Sequence, residues 1–147
     1  MRQRGMTLIE VIVVVMVIAT MAAVLAVSLG TGQDGRQLRD AARELVAQLQ
    51  YTRSVAMVSG ESQLFAIDVD AHAWQAAGNR SGTLPRRLEV QALTADGEAI
   101  DPDTAGIRFF PDGTSTGGVI RLLRGEAVFR IEVHWLTGAV TVGRGGE

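Results

Sequence analysis

The sequence predicts an α+β protein in which a long N-terminal helix, first transmembrane and then amphipathic, packs on a small antiparallel β-sandwich. Three patterns lead to this prediction. Residues 6–29 are almost entirely apolar, apolar residues then recur every three or four positions as far as Ala56, and from Ser62 onward they alternate with polar residues. Helices repeat every 3.6 residues and strands every two, so the change of period marks the change from helix to sheet. The predicted segments are a leader at 1–5, a transmembrane helix at 6–29, an amphipathic helix at 30–60 and a β domain at 61–147.

The composition excludes several classes of protein. A chain of 147 residues has room for one core of ordinary size. The formal net charge is −2 and all 14 basic residues are arginine, so no broad positive field attracts nucleic acid or anionic lipid. Cysteine is absent, which excludes disulfides and thiolate metal sites. We therefore expect neither a nucleic-acid partner nor a cofactor.

The N-terminal segment predicts a single membrane crossing. As a helix, residues 11–29 would span roughly 28 Å, close to the hydrocarbon thickness of a bilayer. Arg2 and Arg4 on the short flank predict a cytoplasmic N-terminus and an exported C-terminal part. A secretory signal peptide cleaved near Ser28 would have a similar pattern. Glu10 argues against that alternative, because a carboxylate in an apolar helix costs about 2.5–3.5 kcal/mol at the bilayer centre.

The stretch from Gly5 to Val11 (GMTLIEV), followed by valine, isoleucine and methionine repeats, resembles the class III signal of type IV pilins and type II secretion pseudopilins. This resemblance implies a pilin-like fold, cleavage by prepilin peptidase between Gly5 and Met6, and N-methylation of Met6. It also implies that Glu10 becomes the fifth residue of the mature chain. The family usually has Phe after the cleavage site, so Met6 is a departure, though one of similar bulk and apolarity.

Glu10 is the predicted assembly residue. Buried charges persist when they are paired, and the nearest candidate cation in a helical array of subunits is the amine of Met6 on a neighbouring subunit. Such a pair would set the register between subunits. The alternative is that the Glu10 side chain reaches the lipid headgroups from one turn inside the helix.

A second helical stretch is predicted to follow and to end at Ser59-Gly60. Three glycines in the segment Gly30–Gly35 would each cost about 1 kcal/mol relative to alanine. One interpretation is a hinge or local melting of a continuous helix, and the other is a plain loop with Asp34 as the N-cap of a separate helix. The predicted apolar stripe is Leu38, Ala42, Leu45, Leu49, Thr52 and Ala56, and the opposite face carries Arg36, Arg39, Asp40, Arg43, Glu44, Gln48 and Arg53.

The remainder of the chain predicts short antiparallel strands separated by frequent turns. Only one amphipathic helix is available to cover them, so we expect a second sheet and a small sandwich with the helix along one side. The clearest alternation places Phe129, Ile131, Val133 and Trp135 on one face. The predicted strands begin near Ser62 and then cover 73–77, 87–93, 106–110, 118–123, 129–135 and 139–142.

The stretch from Gly106 to Gly118 (GIRFFPDGTSTGG) is similar to the GspH/FimT group of pilin-like proteins. Turn chemistry explains much of it, since Pro111 presets φ and both Asp112 and Gly113 suit a turn. The resemblance implies a minor pseudopilin of the type II secretion system, the H subunit, at or near the tip of a periplasmic pseudopilus that helps export folded proteins. The implied partners are other pseudopilins, met through the N-terminal helix, prepilin peptidase and the bacterial inner membrane, with the C-terminal domain in the periplasm.

Two alternative functions remain. A FimT-like minor type IV pilin would bind DNA for uptake, but without Arg2, Arg4 and Glu10 the chain has 12 arginines against 15 acidic residues, and DNA capture needs a concentrated basic patch. A freely secreted β-sandwich enzyme or lectin would require cleavage near Ser28.

The sequence offers little catalytic or metal-binding chemistry, and we do not expect an enzyme. His72 and His134 are predicted to be solvated surface residues without a second ligand at metal-binding spacing. The pairs Asp68/Asp70 and Asp101/Asp103 could offer oxygens to calcium, but each lacks the longer calcium-loop pattern. The simplest interpretation makes Arg86-Arg87 a solvated turn and Trp74 a partly buried anchor.

Overall fold

The computed structural model describes residues 8–94, 99–101 and 104–145, and describes 23–34 and 99–101 by their backbone alone. The chain divides into two compact units, residues 1–34 and 35–147, which we treat separately. Within the described ranges it forms one helix and nine strands. Helix α1 is Leu8–Ser59, and the strands are β1 Gln63–Asp68, β2 Ala73–Ala76, β3 Arg80–Thr83, β4 Glu89–Thr94, β5 Ala99–Asp101, β6 Thr104–Phe109, β7 Gly118–Arg124, β8 Ala127–Val133 and β9 Val140–Arg144.

The backbone of α1 is helical through the segment Gly30–Gly35. The alternative of a plain loop with Asp34 as an N-cap is therefore wrong, and so is local melting of this segment. About 1 kcal/mol per helical glycine is comparable to one backbone hydrogen bond, so leaving helical N–H and C=O groups unpaired offers no gain. The helix ends as predicted at Gly60, which has a φ of 71° and donates its N–H to the carbonyl oxygen of Ala56 at 3.1 Å.

The strands form two antiparallel sheets, as predicted. The first sheet has the order β3-β2-β1-β6-β5 and the second has the order β4-β7-β8-β9. The sequence pattern does not predict β3 or β5. Strand β3 (RSGT) is polar and has no alternation, and it forms because Ala73–Ala76 offers a neighbouring ladder. Strand β5 has three residues, which is too short to establish a period of two.

The last predicted inward residue of β8, Trp135, lies outside the strand. Strand β8 ends at Val133, and the Trp135 side chain is 62% exposed. The chain reverses here because His134 and Ala139 close a turn, with the His134 N–H donating to the Ala139 carbonyl at 2.9 Å. The alternation from Phe129 to Val133 is correct, but the turn removes Trp135 from it.

One hydrophobic core joins the helix stripe and both sheets. The predicted stripe is confirmed, because its six residues are buried and Thr52 is fully buried among them. Trp74 is only 4% exposed, so it is a core residue rather than a partly buried anchor. Its indole stacks on Phe65 at a centroid distance of 6.4 Å, and a Cβ at Gly82 would overlap the ring. The glycine in polar β3 is thus what lets the tryptophan lie flat against the sheet.

Candidate assembly site

The N-terminal part of α1 presents an apolar surface on every side. All described side chains from Leu8 to Met21 are exposed, and Leu8 itself is 82% exposed. A helix that is apolar all round is ordinarily buried in a protein core or a membrane. In this segment the packing must therefore come from outside the single chain. We call residues 8–22 the apolar segment.

Glu10 is the one charged residue of the apolar segment. It lies in the first described turn of α1 and is exposed, with Leu8, Ile9 and Val11 as its exposed neighbours in sequence. A carboxylate near a helix N-terminus is favoured by the helix dipole. An apolar surface that covered this carboxylate would remove its solvent, which is costly for a charge that is not paired.

The second polar side chain of the apolar segment, Thr20, is satisfied within the helix. Its hydroxyl donates to the carbonyl oxygen of Val17 at 2.9 Å. This bond satisfies the Thr20 hydroxyl within its own helix, so the hydroxyl does not need a hydrogen-bond acceptor on another surface. Glu10 therefore carries the specific chemistry of the segment.

Gly5 and Met6, the predicted processing residues, lie outside the described residues. The predicted membrane span begins at residue 6, so its first two residues are also outside the described part. Residues 23–29 of the span are described by their backbone alone. Among the residues that the structure describes, no helix meets the length and apolarity needed to cross a membrane.

In the unit formed by residues 35–147, Arg53 connects the helix to two turns. Its Nε donates to the Gly113 carbonyl at 3.0 Å, and its Nη2 donates to the Thr137 carbonyl at 2.9 Å. The helical period predicts Arg53 on the face opposite the apolar stripe, but its side chain is half-buried against these turns. The acceptors lie 60 and 84 residues further along the chain, so periodicity could not reveal them.

The two turns meet closely at that point. Gly138 has a φ of 61°, and a Cβ there would overlap the carbonyl oxygen of Gly113. The Gly113 N–H donates to the Phe110 carbonyl at 2.9 Å, which closes the predicted turn around Pro111. The motif that resembles the GspH/FimT group therefore serves to bring the β6–β7 and β8–β9 connections onto the helix.

Asp112 stabilises the same turn through Thr114. The Asp112 Oδ1 accepts hydrogen bonds from the Thr114 hydroxyl at 2.6 Å and from the Thr114 N–H at 2.9 Å. These bonds favour the charged carboxylate, the hydroxyl contributing most, and lower the pKa of Asp112 below its usual 3.8. The Asp112 side chain is exposed, so its lowered pKa comes from the hydrogen bonds of a surface turn and not from burial.

The two histidines have different surroundings. His72 is half-buried in a turn with a φ of 54°, and its Nε2 lies 2.8 Å from the Leu88 carbonyl oxygen. The predicted solvated surface role is therefore wrong for His72, which connects its turn to the segment before β4. His134 is exposed, as predicted, and stacks on Trp135 at a centroid distance of 6.2 Å.

The described part of the chain contains no group of three potential metal ligands from His, Asp and Glu, and only the pair Asp68/Asp70 lies fully within it. Asp68 uses its Oδ1 to accept the Ala71 N–H at 2.7 Å, so it serves a turn. The side chain of Asp101 and the whole of Asp103 lie outside the described residues. The predicted turn at Arg86-Arg87 is confirmed, and both side chains are exposed.

Two family models match the chain. The model of type II transport protein GspH matches residues 41–138, and the model of the prokaryotic N-terminal methylation motif matches residues 1–26. The chain belongs to the GspH family. The GspH match covers the second helical stretch from residue 41 onward and extends to the Thr137-Gly138 turn that Arg53 holds.

GspH relatives among characterised proteins carry the name type II secretion system protein H. The protein from Xanthomonas campestris pv. campestris is 41% identical over 140 residues, which are 95% of this chain and 83% of that protein. The protein from Aeromonas hydrophila is 33% identical over 106 residues, 70% of this chain and 55% of that protein. These matches support a minor pseudopilin of the H type and give no support to the FimT-like alternative of DNA uptake.

Solved structures of two other proteins share the fold. The minor pseudopilin EpsH of Vibrio cholerae superposes with a TM-score of 0.59 at 17% identity, over 76% of this chain and 99% of that one. The type IV minor pilin FimU of Pseudomonas aeruginosa gives a TM-score of 0.58 at 16% identity, over 75% and 90% of the two chains. At these identities the likeness establishes the α+β pilin fold, which confirms the predicted fold class.

Proposed function

We propose that this chain is a structural minor pseudopilin of the type II secretion system. It joins a periplasmic pseudopilus at or near the tip and helps to export folded proteins across the outer membrane. The observation that carries this proposal is the GspH match over residues 41–138, supported by the 41% identity to the Xanthomonas protein. The proposed role is structural rather than catalytic, in keeping with the secretion-system names of the relatives.

The proposed maturation is cleavage by prepilin peptidase between Gly5 and Met6, followed by N-methylation of Met6. The match to the N-terminal methylation motif spans residues 1–26 and so includes both residues. Cleavage removes the basic leader and leaves a positively charged amine at the start of an apolar helix. That amine is the cation that the proposed assembly contact needs.

The proposed assembly contact pairs the Glu10 carboxylate with the Met6 amine of a neighbouring pseudopilin. The apolar segment supplies the packing surface, because its side chains are exposed in the single chain. An ion pair in apolar surroundings compensates the desolvation of both charges when the geometry is good. The pair would therefore fix the axial register of one subunit against the next.

Before assembly, the same helix would anchor the protein in the inner membrane. Arg2 and Arg4 favour a cytoplasmic N-terminus, so a single crossing over residues 6–29 puts the β domain in the periplasm. The apolar surface thus serves two successive environments, lipid first and neighbouring helices afterwards. Glu10 tolerates both because it lies near one end of the span.

Single-cysteine crosslinking tests the proposal directly, since the native chain contains no cysteine. We expect Val14→Cys, within the apolar segment, to form crosslinks to other pseudopilins in cells that assemble the secretion system. Glu126→Cys, at an exposed turn far along the chain, is the matched control and should form few. Equal crosslinking at both positions, or none at Val14, would contradict assembly through the helix.

Two further measurements test the finer parts of the proposal. Mass spectrometry of the mature chain should find an N-methylated Met6 at the N-terminus, and a start near Ser28 would instead indicate a freely secreted protein. Deletion of the gene should stop release of folded cargo into the medium while inner-membrane insertion of the other pseudopilins continues. Unchanged release would contradict the export role.

A further inference from the structure

A groove of about 360 Å³ lies between helix α1 and the open side of the second sheet. Its apolar floor includes Val46 from the helix, Phe129 from β8 and Val142 from β9, while Arg39 and Arg43 of the helix line it as well. Val142 points to the same side as buried Ile131 but is 51% exposed. The second sheet therefore ends before it covers the helix completely. All of these residues belong to the unit formed by 35–147.

Strand β9 is the edge of the second sheet, because it is the last in the strand order of the described residues and pairs only with β8 there. The phase of the β8–β9 ladder follows from its two ends. The His134 N–H donates to the Ala139 carbonyl at 2.9 Å, and the Gly145 N–H donates to the Val128 carbonyl at 3.1 Å. In an antiparallel ladder, hydrogen-bonded and non-hydrogen-bonded pairs alternate along each strand.

Thr141 and Gly143 lie two and four residues from Ala139, so they belong to hydrogen-bonded pairs as Ala139 and Gly145 do. Their N–H and C=O groups therefore point toward β8. Val140, Val142 and Arg144 have the opposite phase, so their N–H and C=O groups point to the open edge. Strand edges of this kind accept a further strand unless a charge, a proline or a bulge guards them. Strand β9 contains no proline and its register with β8 is regular over all five residues, so the one guard is the charge of Arg144 at the end of the strand, which an acidic segment would neutralise.

The charges around the groove are positive. Arg39 and Arg43 lie on its helical side, and the Arg144 guanidinium lies 5.7 Å from the Phe129 ring centroid. Arg43 has a long, exposed ion pair of 3.9 Å with Asp40, which contributes little in water. An occupant that carries carboxylates would thus meet three guanidinium groups around an apolar floor.

We propose that β9 accepts an extended acidic segment of another polypeptide as an additional antiparallel or parallel strand, which closes the groove over the helix. The incoming main chain pairs with Val140, Val142 and Arg144. Alternate side chains of the segment enter the groove between Phe129 and Val46, and its carboxylates face the arginines. Five residues in a strand span about 17 Å, which matches the length of β9.

This contact is separate from the apolar segment of α1 and does not depend on assembly through it. Recognition by strand addition takes its affinity from main-chain hydrogen bonds and its specificity from alternate side-chain pockets. Here the pocket is the apolar floor, and the arginines select acidic over basic segments. The occupant is therefore a partner polypeptide defined by this chemistry, an extended segment in which apolar and acidic side chains alternate.

The test uses the purified full-length chain in detergent and two synthetic peptides, one of alternating valine and glutamate and one of alternating valine and lysine. We expect the glutamate peptide to bind and the lysine peptide to bind at least about tenfold more weakly. Amide exchange of Val142 and Arg144 should slow when the glutamate peptide binds, whereas Thr141 and Gly143 should change little. Failure of the glutamate peptide to bind, equal binding of both peptides, or binding without protection at Val142 would each overturn the proposal.

Two variants probe the main chain and the charges separately. Val142→Pro removes one N–H that faces the open edge and leaves the β8 ladder intact, so affinity should fall about five- to tenfold. Arg43→Glu reverses a charge on the groove wall and should lower the affinity for the glutamate peptide by about tenfold. This variant keeps the proposal testable if the proline variant misfolds. Arg87→Glu, at an exposed turn that does not line the groove, is the matched control and should bind nearly as the native chain does. Equal losses in the two glutamate variants would contradict a specific groove contact.

Discussion

The Nε of Arg53 donates a 3.0 Å hydrogen bond to the carbonyl oxygen of Gly113, which joins the helix to a turn 60 residues further along the chain. The same guanidinium also donates to the Thr137 carbonyl, so one side chain holds the β6–β7 and β8–β9 connections together. The turn motif that carries the family resemblance is thus part of the packing between helix and sheets. Its conformation depends on the helix as much as on its own glycines.

Arg53→Ala should lower the free energy of unfolding by about 2–3 kcal/mol, because two carbonyl groups lose a charged donor. Urea denaturation of the purified chain measures this loss. Arg43→Ala, which removes an exposed arginine from the same helix, is the control and should cost no more than about 0.5 kcal/mol. Similar costs for the two variants would show that the bonds to Gly113 and Thr137 contribute little.

Gly138→Ala should destabilise the protein more than Gly125→Ala does. Both positions have positive φ values, 61° and 56°, so both substitutions carry about 1–2 kcal/mol of backbone strain. Only at Gly138 would the new Cβ overlap the Gly113 carbonyl oxygen, whereas nothing lies within 4 Å at Gly125. We expect an additional loss of about 1–3 kcal/mol at Gly138, measured as a lower urea midpoint. Equal midpoints would contradict the close approach of the two turns.

Thr52→Val should cost about 1–3 kcal/mol despite its nearly unchanged shape. The buried Thr52 hydroxyl donates to the Gln48 carbonyl at 2.8 Å and accepts the Ala77 N–H at 3.4 Å, so valine leaves a buried N–H without its acceptor. Ser54→Ala removes a similar hydroxyl bond on the exposed side of the helix and is the control. Thermal or urea unfolding should separate the two variants clearly, and equal stability would contradict the role of Ala77.

The contribution of Asp112 to stability should depend on pH in a defined direction. Its pKa is lowered in the folded chain by the hydrogen bonds from Thr114, so the carboxylate stabilises the fold above the unfolded value of about 3.8. That contribution is lost as the pH falls through the folded-state pKa. The stability difference between the native chain and Asp112→Asn should therefore be constant near neutral pH and shrink below about pH 4. A difference that grows on acidification would contradict this sign.

Local periodicity predicted the elements whose neighbours lie close in sequence. The stripe from Leu38 to Ala56 follows from spacings of three and four, and the two-sheet arrangement follows from the number of strands against one amphipathic helix. Strand β3 could not be predicted, because its polar residues Arg80 and Ser81 form a strand only beside β2. Long-range partners such as Leu88 for His72 were equally invisible, since no local pattern specifies an acceptor sixteen residues away.

The candidate assembly site differs from the fold because one chain contains only part of it. The sequence predicts an apolar segment with a single carboxylate, and the structure shows residues 8–22 exposed in the single chain. The proposed partner of Glu10 belongs to another chain, so neither the sequence nor the fold of one chain can test it. Cleavage after Gly5 and the pairing with Met6 therefore stay predictions.

The most direct test of the central claim is the incorporation of Glu10→Gln into pseudopili, measured by co-purification with the other pseudopilins. This variant keeps the size of the side chain and removes its charge, so processing at Gly5 should continue while incorporation falls at least about tenfold. Thr20→Val is the control, because the Thr20 hydroxyl bonds within its own helix and its loss should leave incorporation unchanged. Incorporation of Glu10→Gln at the native level would contradict the pairing of this carboxylate with a neighbouring amine.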